Sequence, residues 1–238
     1  MINNKQKLVE IKKGQTGTGL LIECDGYVSK NLSQHNAKLI KEALDARENG
    51  EWYVPNPFIL DVVLQKHSTK NANGRIYPED ILKREVEKYQ EMIKQRMALG
   101  ECNHPAESTI DLGRISHNIV ECHWEGKTLV GKIEFNLTEG FRKQGICSSF
   151  GDTCANLIMN GYKIGVSSRG VGEVENRMGV NVVKVYELIC WDIVATPSTP
   201  GSYIGDKEDL QQYIESDETK TNKTSINEKL NRIKNILK

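Results

Sequence analysis

Two short segments carry side chains that can do chemistry together: Gly165-Val166-Ser167-Ser168-Arg169-Gly170 and Gly100-Glu101-Cys102-Asn103-His104-Pro105. A serine hydroxyl becomes a nucleophile when a neighbouring base takes its proton, and His104 is the candidate base. Asp192 adds a carboxylate able to orient an imidazole, so Ser167, His104 and Asp192 have the residue types of a hydrolytic triad. Their order along the chain is no obstacle, because the same constellation recurs on unrelated folds in different orders. Arg169, two residues beyond Ser167, is a candidate for oxyanion support together with backbone N–H groups near Ser168 and Arg169.

Each residue also has a plain structural use. A strand serine commonly bonds to backbone, a histidine before proline is a common turn, and a buried Asp192 could simply pair with Arg169 or Arg75. A second chemistry also has to be weighed. Cys102, His104, His117, Cys122 and His123 are zinc-capable types within twenty-two residues, although the spacing fits no finger or ribbon. A zinc-dependent hydrolase using Cys102, His104 and His123 is therefore one alternative, and a non-catalytic structural component is another.

The elements that must position these groups can be read from periodicity. Alternation along a strand over 162–170 puts Gly165, Ser167 and Arg169 on one face and Ile164, Val166 and Ser168 on the other. Residues 180–195 read as a second, long strand, entered by a turn at 176–179. Its end, Leu188-Ile189-Cys190-Trp191-Asp192-Ile193-Val194, is apolar on both faces and so belongs at the centre of a sheet. Ser167 and Asp192 then fall on consecutive strands of a hairpin. Pro105 biases His104 toward an extended conformation, at the start of a strand or rigid loop that follows a helix over 78–97 and its breaker Gly100. Further helices are expected over 31–49 and 150–159, and further strands at 20–22, 58–64, 115–121 and 127–136. The fold class is α+β and β-rich.

Composition bounds the rest. The chain has 238 residues, with 32 Lys+Arg against 32 Asp+Glu, so its overall charge asks for neither nucleic acid nor an anionic membrane. No apolar run is long enough to span a bilayer, and the polar start Met1-Ile2-Asn3-Asn4-Lys5 is no signal peptide. A soluble intracellular protein is expected, with six free thiols and no cofactor or metal. The organisation expected is an N-terminal arm and helix (1–54), a core domain (55–205), a polar linker (206–224) and a C-terminal amphipathic helix (225–238) that docks on a partner or on its own domain.

The two opening segments resemble the signature segments of the prohead (procapsid maturation) serine proteases of T-even-like tailed bacteriophages, a family related to the herpesvirus assemblins. Asn73-Gly74-Arg75-Ile76-Tyr77-Pro78 before a helix resembles the stretch preceding that family's histidine, and Asp192 through Pro197-Ser198 resembles its closing strand. The resemblance runs from about Phe58 to Tyr203. It implies a closed or partly open assemblin-like β-barrel core surrounded by helices, Ser167 as nucleophile and His104 as general base. Assemblins use a second histidine as third member. None follows His123 here, which leaves Asp192 as the candidate. The resemblance further implies scaffold and capsid proteins as substrates, a location in the host cytoplasm inside the immature capsid, and self-association in the prohead core.

It also implies cleavage after Glu in Leu/Ile-x-Glu sequences, with self-processing. Sequences of this form include those ending at Glu10, Glu23, Glu121 and Glu228. Glu10 and Glu228 lie in the arm and the tail and are the expected self-cleavage sites, whereas Glu23 and Glu121 should be protected within structure.

Overall fold

The structure is a computed structural model that describes residues 8–23 and 33–204. The expected linker at 206–224, the helix at 225–238 and Glu228 lie outside the described residues.

The organising element is a long antiparallel hairpin of β7 (Gly165–Arg177) and β8 (Val180–Val194). Met178 and Gly179, at φ 51° and 83°, make the two-residue turn whose positive φ values match the twist of the flanking strands. β8 is buried along its last six residues except for a half-buried Ile189, as its two-sided apolar pattern requires. On the far side of β7 lies β1 (Gly17–Ile22), antiparallel. On the far side of β8 lies β3 (Arg75–Ile76), the one parallel neighbour.

A second four-stranded sheet is built from β2 (Ile59–Lys66), β4 (Leu99–Glu101), β5 (Ile115–Glu125) and β6 (Thr128–Phe135), ordered β2-β6-β5-β4. The two sheets are stitched where Cys102 bridges Ile193 in parallel and the Asn103 N–H donates to the Ile193 carbonyl at 2.7 Å. Among the described residues no pairing closes the strands into a ring. The α+β, β-rich class holds, with two linked sheets as its architecture.

Helices cover this framework. α2 (Glu79–Lys94) starts after Pro78 and buries Leu82, Val86 and Tyr89 at four- and three-residue steps, the spacing of one helical face. Tyr89 meets Trp191 of β8 edge-on, with centroids 4.7 Å apart. α4 (Phe150–Met159) opens with a capping box between Ser149 and Asp152 and rests on β5. The short α3 (Glu139–Gln144), which has no clear periodicity in the sequence, precedes it.

Elements from before residue 54 pack on the strands that follow it. α1 (Gln34–Glu48) is fixed to β2 by Asn36, whose side chain donates to the Asp61 carbonyl at 2.8 Å and accepts from the Asp61 N–H at 2.7 Å. β1, expected as part of an arm, is an integral edge strand beside β7.

Candidate active site

Ser167 and Asp192 face each other across the β7–β8 ladder, so their side chains emerge on the same face. Arg169 pairs in register with Cys190 two residues along and shares that face. β4 then delivers the histidine segment. Gly100 permits this approach: a Cβ there would lie 2.3 Å from both the Trp191 carbonyl oxygen and His117 Nε2, closer than atoms can pack. With β4 held against β8, the Glu101 N–H donates to Asp192 Oδ1 at 2.9 Å, and His104 Nδ1 lies 2.7 Å from Asp192 Oδ2.

Asp192 is completely buried, with Arg169 Nε donating to its Oδ2 at 2.8 Å and Cys190 Sγ donating to its Oδ1 at 3.2 Å. Burial alone would raise its pKa. The hydrogen bonds from His104 and Arg169 outweigh that and hold the carboxyl well below the usual carboxylate range. An ionised Asp192 only accepts, so His104 Nδ1 carries the proton toward it and Nε2 of the neutral ring is left as an acceptor. That Nε2 is buried and has no hydrogen-bond partner among the described residues. An imidazole so oriented can take a proton from a hydroxyl presented to it.

Arg169 is as buried as Asp192. Its guanidinium donates to Asp192, to Glu101 Oε1 at 2.9 Å and to the Glu107 carbonyl at 2.6 Å. Although burial disfavours the charge, these acidic neighbours raise its pKa above the ordinary arginine value. The positive charge is directed into the carboxylate cluster behind the histidine. Glu101, which the sequence reading passed over, is a full member of this cluster; its place three residues before His104 in the opening segment was the available signal.

Ser167 has zero solvent exposure and its hydroxyl donates to the backbone carbonyl of Glu23, just beyond β1. Ser168, on the opposite face, is buried beside Tyr186. The Glu23 side chain is buried too, in a nest that the sequence reading did not identify. Arg75 Nη1 donates to its Oε1 at 2.8 Å, and Asn71 and Asn73 donate to Oε2 at 2.5 and 2.6 Å. Tyr77 donates to Oε1, and Ser198 to Oε2 at 3.3 Å. Burial and the adjacent Glu23 push the Tyr77 phenol well above its ordinary pKa. The Asn73-Gly74-Arg75-Ile76-Tyr77 motif thus has a definite task here, and Arg75 pairs with Glu23 while Arg169 takes Asp192.

The zinc grouping is not assembled. His123 lies exposed on β5 between Glu121 and Glu125, His117 is buried against Ser116 and the Trp191 carbonyl, and no group of three potential metal ligands occurs among the described residues. No helix among them is long and apolar enough to cross a membrane.

Comparison with known proteins bears on this geometry. Residues 20–215 match the family described as prohead core protein serine protease. The "Prohead core protein protease" of Enterobacteria phage T4 is 31% identical over 158 residues, covering 65% of this chain and 70% of that protein. The fold matches the solved bacteriophage T4 capsid assembly protease with a TM-score of 0.57 at 23% identity, over 75% of this chain and 98% of the other. With both sequence motifs inside the matched span, the chain belongs to the prohead core protein serine protease family.

Proposed function

We propose that this prohead protease cuts peptide bonds with Ser167 as nucleophile, His104 as general base and Asp192 as the carboxylate that orients the base. The observation that carries the reading is the His104–Asp192 contact of 2.7 Å, which leaves Nε2 buried and unpartnered while Asp192 itself faces Ser167 across the ladder. In the acylation step the Ser167 oxygen bonds to the carbonyl carbon, and its proton passes to His104 Nε2 and on to the departing amine. Water then attacks the ester, giving its proton to His104, and the carboxylate product leaves with Ser167 restored.

Arg169 acts as a positioning residue in this scheme. Its bonds to Asp192 and Glu101 fix the carboxylate that fixes the imidazole, and the oxyanion is left to backbone N–H groups. The substrates are scaffold and capsid proteins inside the prohead in the host cytoplasm, cut after Glu in Leu/Ile-x-Glu sequences, and the enzyme also processes itself. The two linked sheets serve as the open counterpart of the assemblin-like barrel. An active-site serine probe tests the reading: it should label Ser167 in the wild type and fail on His104→Ala. Equal labelling of both would overturn the assignment.

A further inference from the structure

Arg114 links the surface to the buried carboxylates behind His104. It ends the 3-10 turn Leu112–Arg114 that leads into β5 and is half-buried there. Its Nη2 donates to the Cys102 carbonyl at 2.7 Å, and its own carbonyl accepts the Cys102 N–H at 3.1 Å. Both main-chain polar groups of Cys102 are thus held by one residue. Asn103 follows in the left-handed region at φ 64°, a conformation that a residue other than glycine keeps only when its surroundings enforce it. That turn sets the direction in which the chain carries His104 away from β4. Arg114 holds its near side, and the Ile193 carbonyl, accepting from the Asn103 N–H, holds its far side.

The guanidinium has a second task at Glu101. Oε1 of that buried carboxylate accepts from Arg169 Nη2 and from the Asp111 N–H, both at 2.9 Å. Oε2 has no hydrogen-bond partner among the described residues, and Arg114 Nε, itself buried and unpartnered, lies 3.4 Å from it. Charges of alternating sign therefore run from the surface to the carboxylate that bonds His104: Arg114, Glu101, Arg169 and Asp192. Without the first of them, Glu101 would draw Arg169 more strongly and Asp192 would lose part of its hold on that guanidinium. The Phe150 ring at the start of α4 steadies Arg114 from the other side, its centroid 5.6 Å from the guanidinium carbon.

We infer that Arg114 is a positioning residue of the catalytic site: it clamps the turn that aims His104, and it supplies the counter-charge to Glu101 that leaves Arg169 to Asp192. The inference rests on the serine-protease reading above and adds to it a residue that lies outside both opening segments. Arginine suits this place because its planar fork reaches a carbonyl and a carboxylate together, whereas a lysine ammonium is a point charge on a flexible stem.

The test compares turnover of a Leu-x-Glu peptide by the full-length wild type, Ser167→Ala, Arg114→Met and Arg114→Lys, alongside urea unfolding and the downfield proton resonance of the His104 Nδ1–H. Arg114→Met should lower kcat about a hundredfold with KM changed less than about threefold, the effect expected when a reacting group is misplaced by about 1 Å. The His104 resonance should broaden or move upfield while the urea transition stays cooperative. Arg114→Lys keeps the charge without the fork, so its kcat should recover only to about a tenth of the wild-type value. This second variant carries the test if Arg114→Met does not fold, and wild-type kcat in Arg114→Lys would overturn the inference. A folded Arg114→Met with kcat within about twofold of wild type overturns it too, as does a loss of kcat with the His104 resonance unmoved. In each of these cases turnover that depends on Ser167 leaves the protease reading standing. Turnover that survives Ser167→Ala removes that reading and the inference with it.

Discussion

Two buried arginine–carboxylate clusters flank Ser167, and they differ in what they are tied to. In one, Arg169 joins Asp192 and Glu101, these three coming from β7, β8 and β4, and Arg114, just before β5, approaches Glu101 Oε2 at 3.4 Å. In the other, Arg75 joins Glu23, which sits at the end of the edge strand β1. Both pair an arginine and carboxylates that are almost wholly inaccessible, so both pay a desolvation cost that only their hydrogen bonds offset. The first cluster is permanent because its members are locked in the central hairpin and its neighbour. The second is complete only while residues 17–23 remain in place. The first network suits the orientation of a base; the second ties the edge strand β1 to the loop before α2 and to Ser198.

The largest expected effect tests the catalytic side. Ser167→Ala or His104→Ala should lower the turnover of a Leu-x-Glu peptide by about a million-fold, as removal of either member of such a unit does. Asp192→Asn should cost roughly ten-thousand-fold by favouring the wrong imidazole tautomer. If Asp192→Asn retained most activity, the first cluster would be structural only.

The next effect compares the clusters as stabilising elements, with Ser167→Ala as the background so that the chain stays whole. Arg169→Met should destabilise by about 3–5 kcal/mol in urea unfolding, because it strands two buried carboxylates. Arg75→Met should cost a similar amount in that background, and much less once Glu23→Gln is also present, since the lone charge has then gone. Additive losses at Arg75 and Glu23 would mean that the second cluster is not a unit.

Acid should act on both the first cluster and its neighbour. His117, fully buried between Ser116 and the Trp191 carbonyl, has its pKa lowered by that burial from 6.5 to about 4. Because the folded protein resists protonating it, stability is full above about pH 6.5 and falls as pH drops toward 4, by on the order of 3 kcal/mol. Asp192 gives its own contribution above the ordinary carboxylate pKa and loses it only at lower pH, as its depressed value is approached. His117→Gln should flatten the unfolding profile between pH 6.5 and 4; an unchanged profile would show that another group carries the loss. The smallest effect belongs to exposed pairs such as Lys83–Glu79, where Lys83→Ala should leave the urea midpoint nearly unchanged because solvent screens the pair.

Much of the first cluster was legible in the sequence because period-two alternation is unambiguous in a long strand. It placed Ser167 with Arg169 and put Asp192 on the neighbouring strand, as the register now gives. The α2 stripe of Leu82, Val86 and Tyr89 was equally readable. The second cluster was not, because its members come from three separate stretches, at 23, 71–77 and 198, and no local period links them. Glu23 in particular reads as the end of a Leu-x-Glu sequence, and nothing local links its carboxylate to Arg75. The contacts of Arg169 escaped for a related reason: sequence puts a cation on the serine's face, but only the position of Glu101 and Asp192 decides which way the guanidinium points. The short β4 was hidden as well, since three residues ending in Gly-Glu carry no strand signature until β5 and β8 are in place beside them.

The antiparallel run of β1 along β7 has one more consequence. Six consecutive residues of this strand are paired, so an extended segment that replaced β1 beside β7 would have to supply a comparable stretch of main chain running in the same direction. A segment held within a helix or the middle of a sheet has no such stretch free, however good its side chains. On the protease reading proposed above, the bonds that are cut would then follow which segments of a target are loose, so that the state of folding counts as much as the sequence.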